Sequence, residues 1–469
     1  MTLHRASRYT FALALLALPA VAGAQAFGLN EIGSCAIARG FAATASPCED
    51  GSSIYWNPGA MPRSRGWMVS GGAAIIKIDG NFIQDTTLNR FEGDVPTAVV
   101  PHFFVNYRGA GKLAYGLGVY VPYGLTSQYK DDFPGRFASK KASLQTIYVQ
   151  PNLSYQITPN WSVGGGPVFG HSTVELVQAI DLSTLPTSAG GPTFGQLGVP
   201  KRTEFARATL KGSSTAFGID LGVHGRLTPT WEMGARFLSQ LTFKYDDADA
   251  VFVPVATGVN TVTPAGSPFP VPAGTPFDAL VASQFTTGAL QPQKVATQIQ
   301  HPAQVQLGFA YTGYTNTTLS AEYSYVGWKS FKELPVDFTG ATPATTATDK
   351  VLREDYNNTS SIRLGVDHRL ASGIALRAGF AAAAAAAPDE TVTPLLPEQD
   401  RSLVMLGAGL PFGGRYALDA TYAHIFTPGR RGRLDERSST SSAAQAIALN
   451  EGSYVLSANI LALTLKASF

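Results

Sequence analysis

The stretch QTIYVQPNLSYQI, from Gln145 to Ile157, decides the fold class. Ile147, Val149, Pro151, Leu153, Tyr155 and Ile157 fall on one side of an extended chain, and Thr146, Tyr148, Gln150, Asn152, Ser154 and Gln156 on the other. So long an unbroken period of two exceeds the usual strand of a soluble sheet. From Phe217 to Leu227 the pattern repeats, with Phe217, Ile219, Leu221 and Val223 opposed to Gly218, Asp220, Gly222, His224 and Arg226. An apolar face against lipid and a polar, charged face toward a lumen give this alternation. Composition agrees, because only 14% of the 469 residues are charged and 45% are hydrophobic, whereas charged residues make up about a quarter of a soluble globular protein. Beyond the N-terminus no segment holds the roughly 18 consecutive apolar residues of a membrane helix. The expected fold class is therefore all-β, a transmembrane β-barrel.

Extending the same test along the chain marks fourteen runs, at 66–78, 96–108, 112–122, 143–157, 161–176, 207–227, 231–246, 295–312, 317–331, 354–370, 373–384, 401–412, 415–428 and 452–469. Tight turns such as Gly109-Ala110-Gly111, Thr158-Pro159-Asn160, Thr228-Pro229-Thr230 and Gly413-Gly414 alternate with much longer links. Outer-membrane barrels sort their loops this way, and an even count of antiparallel strands returns both termini to the periplasm. The last run puts Leu461, Leu463, Leu465 and Phe469 on one face and ends on an aromatic residue, similar to the C-terminal assembly signal of outer-membrane proteins.

Residues 1–24 read as a secretory signal: Arg5 and Arg8, an apolar stretch from Phe11 to Leu18, and Ala22-Gly23-Ala24 before the cleavage point. Two of the 35 basic residues leave with it, which balances the 33 acidic ones. With no basic stripe there is no footprint for nucleic acid. The segment 25–65 does not alternate and is rich in Ala, Gly and Ser, which reads either as a folded plug ahead of the barrel at 66–469 or as a polar periplasmic tail. It carries the chain's two cysteines, Cys35 and Cys48. In an exported protein such a pair favours a disulfide, on the order of 3 kcal/mol for a loop of this size. No histidine lies close enough to complete a metal site with them, so neither metal nor cofactor is expected.

Phe27-Gly28-Leu29-Asn30-Glu31, Ala36 to Ala42, and Ser53 to Met61 around Asn57-Pro58-Gly59 resemble the N-terminal hatch of the FadL family of outer-membrane transporters. The likeness continues through Val121-Pro122-Tyr123-Gly124-Leu125, Phe309-Ala310-Tyr311, Tyr325 to Phe331 with Trp328, and Pro388 to Arg401. It implies a 14-stranded antiparallel barrel in the outer membrane of a Gram-negative bacterium, closed by a hatch inside the lumen. It also implies a monomer among outer-membrane lipids and lipopolysaccharide that passes long-chain fatty acids or aromatic hydrocarbons into the bilayer. Two departures stand out. The hatch motif reads Asn57-Pro58-Gly59 where the family usually has Asn-Pro-Ala, and the Gly adds backbone freedom. Fatty-acid carriers present basic residues to the ligand carboxylate where this chain aligns Leu176 and Pro335, which favours an uncharged ligand.

Pro122 cannot donate to a strand ladder, so Pro122-Tyr123-Gly124 reads as a kink or bulge, or as the outer end of the third strand. By the resemblance, the kink opens a lateral gate. The alanine run Ala381–Ala387 reads as a strand end leading into the Pro388 loop. An enzyme is the rival class, but no Gly-x-Ser-x-Gly, Cys-x-x-Cys, His-Glu-x-x-His or phosphate-binding loop occurs, and His224 reads as a lumen-lining residue. A general porin for polar solutes is the alternative transport reading.

Overall fold

Alternating side chains need a partner on each edge and a different solvent on each face, and closure into a ring supplies both. The computed structural model describes residues 26–186, 191, 193–260, 274–339, 349–438 and 440–469; residues 1–24, which read as a secretory signal, lie outside them. Fourteen wall strands form an antiparallel barrel. They are β1 (Gly66–Gln84), β2 (Ala98–Arg108), β3 (Leu113–Gln128), β4 (Lys141–Gln156), β5 (Trp161–Asp181), β6 (Glu204–Thr228) and β7 (Trp231–Leu238 with Leu241–Pro254). Then follow β8 (Gln293–His301 with Gln304–Tyr314), β9 (Thr317–Val326, extended by Glu333–Phe338), β10 (Thr359–Arg369, preceded by Lys350–Arg353) and β11 (Ala375–Ala383). The last three are β12 (Arg401–Phe412), β13 (Tyr416–Phe426) and β14 (Gly452–Ser468). Closure is by β14 on β1, from Met68 opposite Ser468 to Gln84 opposite Gly452.

The alternation sorts as lipid and lumen require. On β4, Ile147, Val149, Leu153 and Tyr155 are exposed on the outer wall, while Tyr148 and Gln150 between them are fully buried inside. On β6, Phe217, Ile219 and Leu221 face out and Asp220 and His224 face in. Trp67, Tyr115, Tyr155, Trp161, Trp231, Tyr416 and Phe469 are exposed at the short-turn end of the wall, where an interfacial aromatic girdle belongs.

Several strands run further than the alternation predicts. β1 continues to Gln84, β3 through Pro122 to Gln128, and β5 to Asp181, because above the lipid the wall packs against loops and loses the clean two-sided pattern. Others are interrupted. Pro302 lacks an N–H and parts the two pieces of β8; β9 stops at Val326 and turns through a 3-10 segment at Trp328–Ser330. No ladder pair joins residues 212–219 of β6 to β7, and buried Leu241, Phe243 and Tyr245 pack at that seam. Within the alanine run, Ala381–Ala383 finish β11, and Ala386 and Ala387 are buried beyond it.

Candidate functional site

The residues ahead of β1 lie in the lumen. Two short helices, α1 (Ser34–Ala38) and α2 (Ser53–Trp56), are wholly buried, and a 3-10 segment follows at Pro58–Arg63. The sulfurs of Cys35 and Cys48 are bonded, with Cα atoms 6.1 Å apart, which ties α1 to the turn before Asp50. Hydrogen bonds from this segment reach every wall strand except β11. Asp50 O accepts from Ser70 of β1, Met61 O from Asn106 of β2, and Ile54 O from Gln150 and Asn152 of β4. Gly59 O accepts from Ser162 of β5, and Arg63 pairs with Glu232 of β7 at 2.6 Å. The Thr44 hydroxyl reaches Gln306 of β8, its N–H the Glu322 carboxylate of β9, and Asn30 accepts from Arg363 of β10. Arg401 of β12, Thr421 of β13 and Thr464 of β14 bond Ala26 or Ser34. At β11 the contact is backbone on backbone, where a Cβ on Gly40 would sit 2.7 Å from Phe380 O.

Charged lumen residues hold the plug without being exposed. Arg236 meets Asp220 at 2.9 Å with both side chains at 0% exposure, and its guanidinium lies 4.3 Å from the Tyr55 ring. Arg363 pairs with Glu322 at 2.8 Å. Removing one partner of such a pair leaves a buried charge and typically costs about 3–5 kcal/mol.

Asn57 is the keystone of the motif. Its Nδ2 donates to Thr44 O at 2.7 Å and Val223 O at 2.9 Å, and its Oδ1 accepts from Gly59 N at 3.0 Å. Pro58 opens the 3-10 segment. Gly59 is not in a left-handed conformation; a Cβ there would lie 2.7 Å from Gly222 O and 2.9 Å from Val223 Cα. Close approach to the β6 backbone, rather than backbone freedom, accounts for a Gly at this position.

The sequence-predicted kink sits at a break in the wall. β2 and β3 are paired only from Arg108 opposite Ala114 to His102 opposite Tyr120. Continuing that register would set Pro101 against Val121 and Val100 against Pro122, so each strand brings a proline without an N–H to the seam. On its other edge β3 shifts register with β4 between Tyr120 and Tyr123. The plug takes the vacant edge: Leu29 N donates to Pro122 O at 2.8 Å and Gly124 N to Phe27 O at 2.9 Å. Tyr123 is buried, with its hydroxyl on Pro302 O at 3.1 Å and receiving a bond from Gln304 at 2.8 Å. Pro101 escaped the sequence reading, although a proline inside an alternating run was the signal to look for.

Three cavities adjoin in series. The outermost, about 1280 Å³, opens among the long loops and is lined by Leu176, Val336, Phe338 and Leu395. Leu176 and Leu395 also line a small inner pocket of about 40 Å³. Across Leu125 and Leu396 this pocket adjoins a third cavity of about 190 Å³, bounded by Leu29, Gly124, Ile78, Leu456 and Ala458 beside the edge of β3 that the plug occupies. Phe27 stands at the junction, its ring centroid 4.7 Å from Trp328 and 5.4 Å from Phe331. Of the two positions aligned with carboxylate-binding residues, Leu176 is in the wall of the inner pocket, but Leu334 lines it in place of Pro335. Phe331 and Leu334 lie in or beside the family-like stretch from Tyr325, but no sequence pattern pointed to Ile299 or Tyr356, which come from a distant strand and loop.

The outermost cavity carries bases, Lys201, Arg202 and Lys350, beside its carboxyl groups, and the third has Arg401 beside Glu398, whereas among the described residues Glu354 is the one carboxyl or cationic residue lining the inner pocket. Glu398, in the loop before β12, accepts from the N–H groups of Ala26 and Ala387, and burial raises its carboxyl above the ordinary value. Glu354, between the two pieces of β10, is held well above that value by burial, with Glu436 adding to it. Glu436, on the loop after β13, is raised by desolvation to about 7. His224 Nε2 donates to Ala45 O of the plug, 2.8 Å away, and the side chain serves as lining.

Residues 14–469 match the family model described as outer membrane protein transport protein (OMPP1/FadL/TodX). The 47 kDa outer membrane protein of Pasteurella multocida is 24% identical over 426 residues, 90% of this chain and 92% of that one. The long-chain fatty acid transport protein of Salmonella typhi is 21% identical over 458 residues, 96% of this chain and 94% of that one. Among solved structures, a Pseudomonas aeruginosa FadL homologue superposes with a TM-score of 0.74 at 18% identity, covering 95% of this chain and 100% of the other. The Ralstonia pickettii toluene transporter TbuX does so at 0.63 and 18% identity, covering 94% and 100%.

Proposed function

The chain belongs to the OMPP1/FadL/TodX family of outer-membrane transport proteins, and from that premise we propose that it passes uncharged, aromatic-hydrocarbon-like molecules sideways through its wall rather than free fatty acids through an axial pore. As a family member it is a non-enzymatic channel for hydrophobic compounds in a Gram-negative outer membrane. The observation that carries the finer reading is the series of three cavities leading from the mouth to the edge of β3 that β2 leaves free and the plug occupies. A compound that is insoluble in water and bound for the bilayer gains nothing from a polar exit into the periplasm. The apolar lining at Leu176, and the absence of a basic residue among those lining the inner pocket, support an uncharged ligand. Anchoring of the plug around the whole circumference supports a hatch more than an open pore for polar solutes.

Replacing Pro122, which does not line the cavities, by valine restores the missing N–H at this seam. Toluene uptake by intact cells should fall at least tenfold, with toluene binding to the detergent-solubilised variant kept. Undiminished uptake by a correctly inserted variant returns the path to the barrel axis.

A further inference from the structure

The periplasmic end of the lumen holds another cavity, of about 180 Å³, that lies off the path from mouth to β3. It opens between the plug at Glu49 and the short-turn ends of β10 to β14. Its chemistry is unlike that of the other three. Arg369, Arg377, Arg415 and Lys466 line it, against the carboxylates of Glu49 and Asp419.

Arg377 is the built part of this cavity. From β11 it reaches across β12 to Asp419 on β13, Nη1 to Oδ1 at 2.5 Å, while its Nε meets Asp367 of β10 at 2.7 Å. The crossing needs a glycine at position 409 of β12, where a Cβ would lie 2.4 Å from Asp419 Oδ1 and 3.0 Å from both terminal nitrogens of Arg377. Arg377 and Asp419 are more than nine-tenths buried. Among the described residues Nη2 of Arg377 has no hydrogen-bond partner, and it is not sealed off from solvent.

The other cations are also incompletely matched. Lys466 Nζ lies 3.3 Å from the second oxygen of Asp419. Arg415 faces the Phe469 ring at 5.8 Å and has no carboxylate partner among the described residues. Arg369 pairs with Glu49 at 3.3 Å, with both side chains more than half exposed, so that pair is weak and open to exchange. Asp367 stands behind the lining, and even with it the cations outnumber the carboxylates. Converging guanidinium and ammonium groups with free N–H donors suit a phosphate group. The volume is several times one water's share of the liquid, about 30 Å³. Arg377 and Asp419 sit on the lumen face of their strands, behind the wall from the lipid headgroups.

We propose that this cavity binds a small soluble oxyanion of the periplasm, a phosphate or phosphate monoester, held by Arg377 Nη2, Arg415 and Lys466, with Glu49 of the plug as its internal competitor at Arg369. The proposal goes beyond the transport reading and stands apart from the hydrocarbon path.

The test is isothermal titration calorimetry of the full-length protein in non-ionic detergent with inorganic phosphate, at constant pH and ionic strength, on wild type, R415Q, K466Q and E49Q. Wild type should bind phosphate about tenfold more tightly than acetate, since a dianion meets several cations at once. R415Q and K466Q should each weaken phosphate about fivefold, the upper end for an exposed ion pair. E49Q, which removes the competing carboxylate, should tighten it about threefold. Phosphate binding no tighter than acetate, or unchanged in R415Q and K466Q, overturns the site. Weaker binding in E49Q overturns the competition at Arg369. If K466Q does not assemble, as judged by its mobility on unheated gels, R415Q and E49Q, both at exposed positions, still decide.

Discussion

Asn57 and Gly59 show how single residues seat the plug. The Asn57 amide joins three backbone groups, one of them on β6. Gly59 makes that approach possible because Gly222 opposite it is also a glycine; a Cβ on Gly222 would lie 2.2 Å from Asn57 Oδ1. Gly59→Ala should therefore unseat the plug in this chain. We expect a loss of about 1–3 kcal/mol, the usual size for overpacking, read as a lowered thermal midpoint of the solubilised protein. An unchanged midpoint would show that the β6 backbone yields at little cost. The motif itself was legible in the sequence. Its steric reason was not, because Gly222 is far away in the chain and meets Gly59 only across the lumen.

At the scale of elements, the wall and its loops behave differently. Strand existence followed from alternation, since lipid outside and a polar lumen inside act on every residue of a crossing. Strand ends did not, because above the bilayer β1, β3, β5 and β7 meet loops instead of lipid. The loop after β13 carries a testable consequence. Glu436 accepts from Thr393 at 3.3 Å, and its surroundings include Lys350, Arg433, Asp435 and Glu354. Its folded value of about 7 lies above the ordinary 4.5. Between those values the folded loop holds a proton that the opened loop has lost. The contribution of this group is therefore fully present below about 4.5 and disappears as the pH rises through about 7. Amide exchange at Leu434 to Arg437, corrected for its intrinsic pH dependence, should quicken over that window in wild type and lose the pH-dependent part in Glu436→Gln. Identical slopes in the two proteins would refute the assignment.

For the molecule as a whole, plug and wall form one hydrogen-bonded unit, and at β3 the edge that β2 leaves free borders a cavity. In planar bilayers the intact protein should pass little current, because the plug is anchored to nearly every strand. Asn57→Ala, which removes its bonds to β6 and to Thr44, should introduce bursts of conductance. Steady porin-like current in wild type would instead favour the polar-solute alternative. The seam between β6 and β7 lacks ladder pairs as well, yet Leu241, Phe243 and Tyr245 are buried against it. An exit therefore needs more than missing hydrogen bonds; it needs an adjoining cavity, which β3 has.

The sequence by itself determined that this chain is a barrel of fourteen strands and which face of each strand meets lipid, and it marked Pro122 as either a kink or a strand end. Those properties are local: they follow from side-chain period and from the missing donor of one residue. Only the tertiary structure decided that Pro101 joins Pro122 at one seam, that Phe27 to Leu29 occupy the edge left free there, and that Ile299 and Tyr356 line the inner pocket with Leu176 and Leu334. These groups come from distant strands and loops, and a closed barrel brings them together through its register, which no short window of sequence contains.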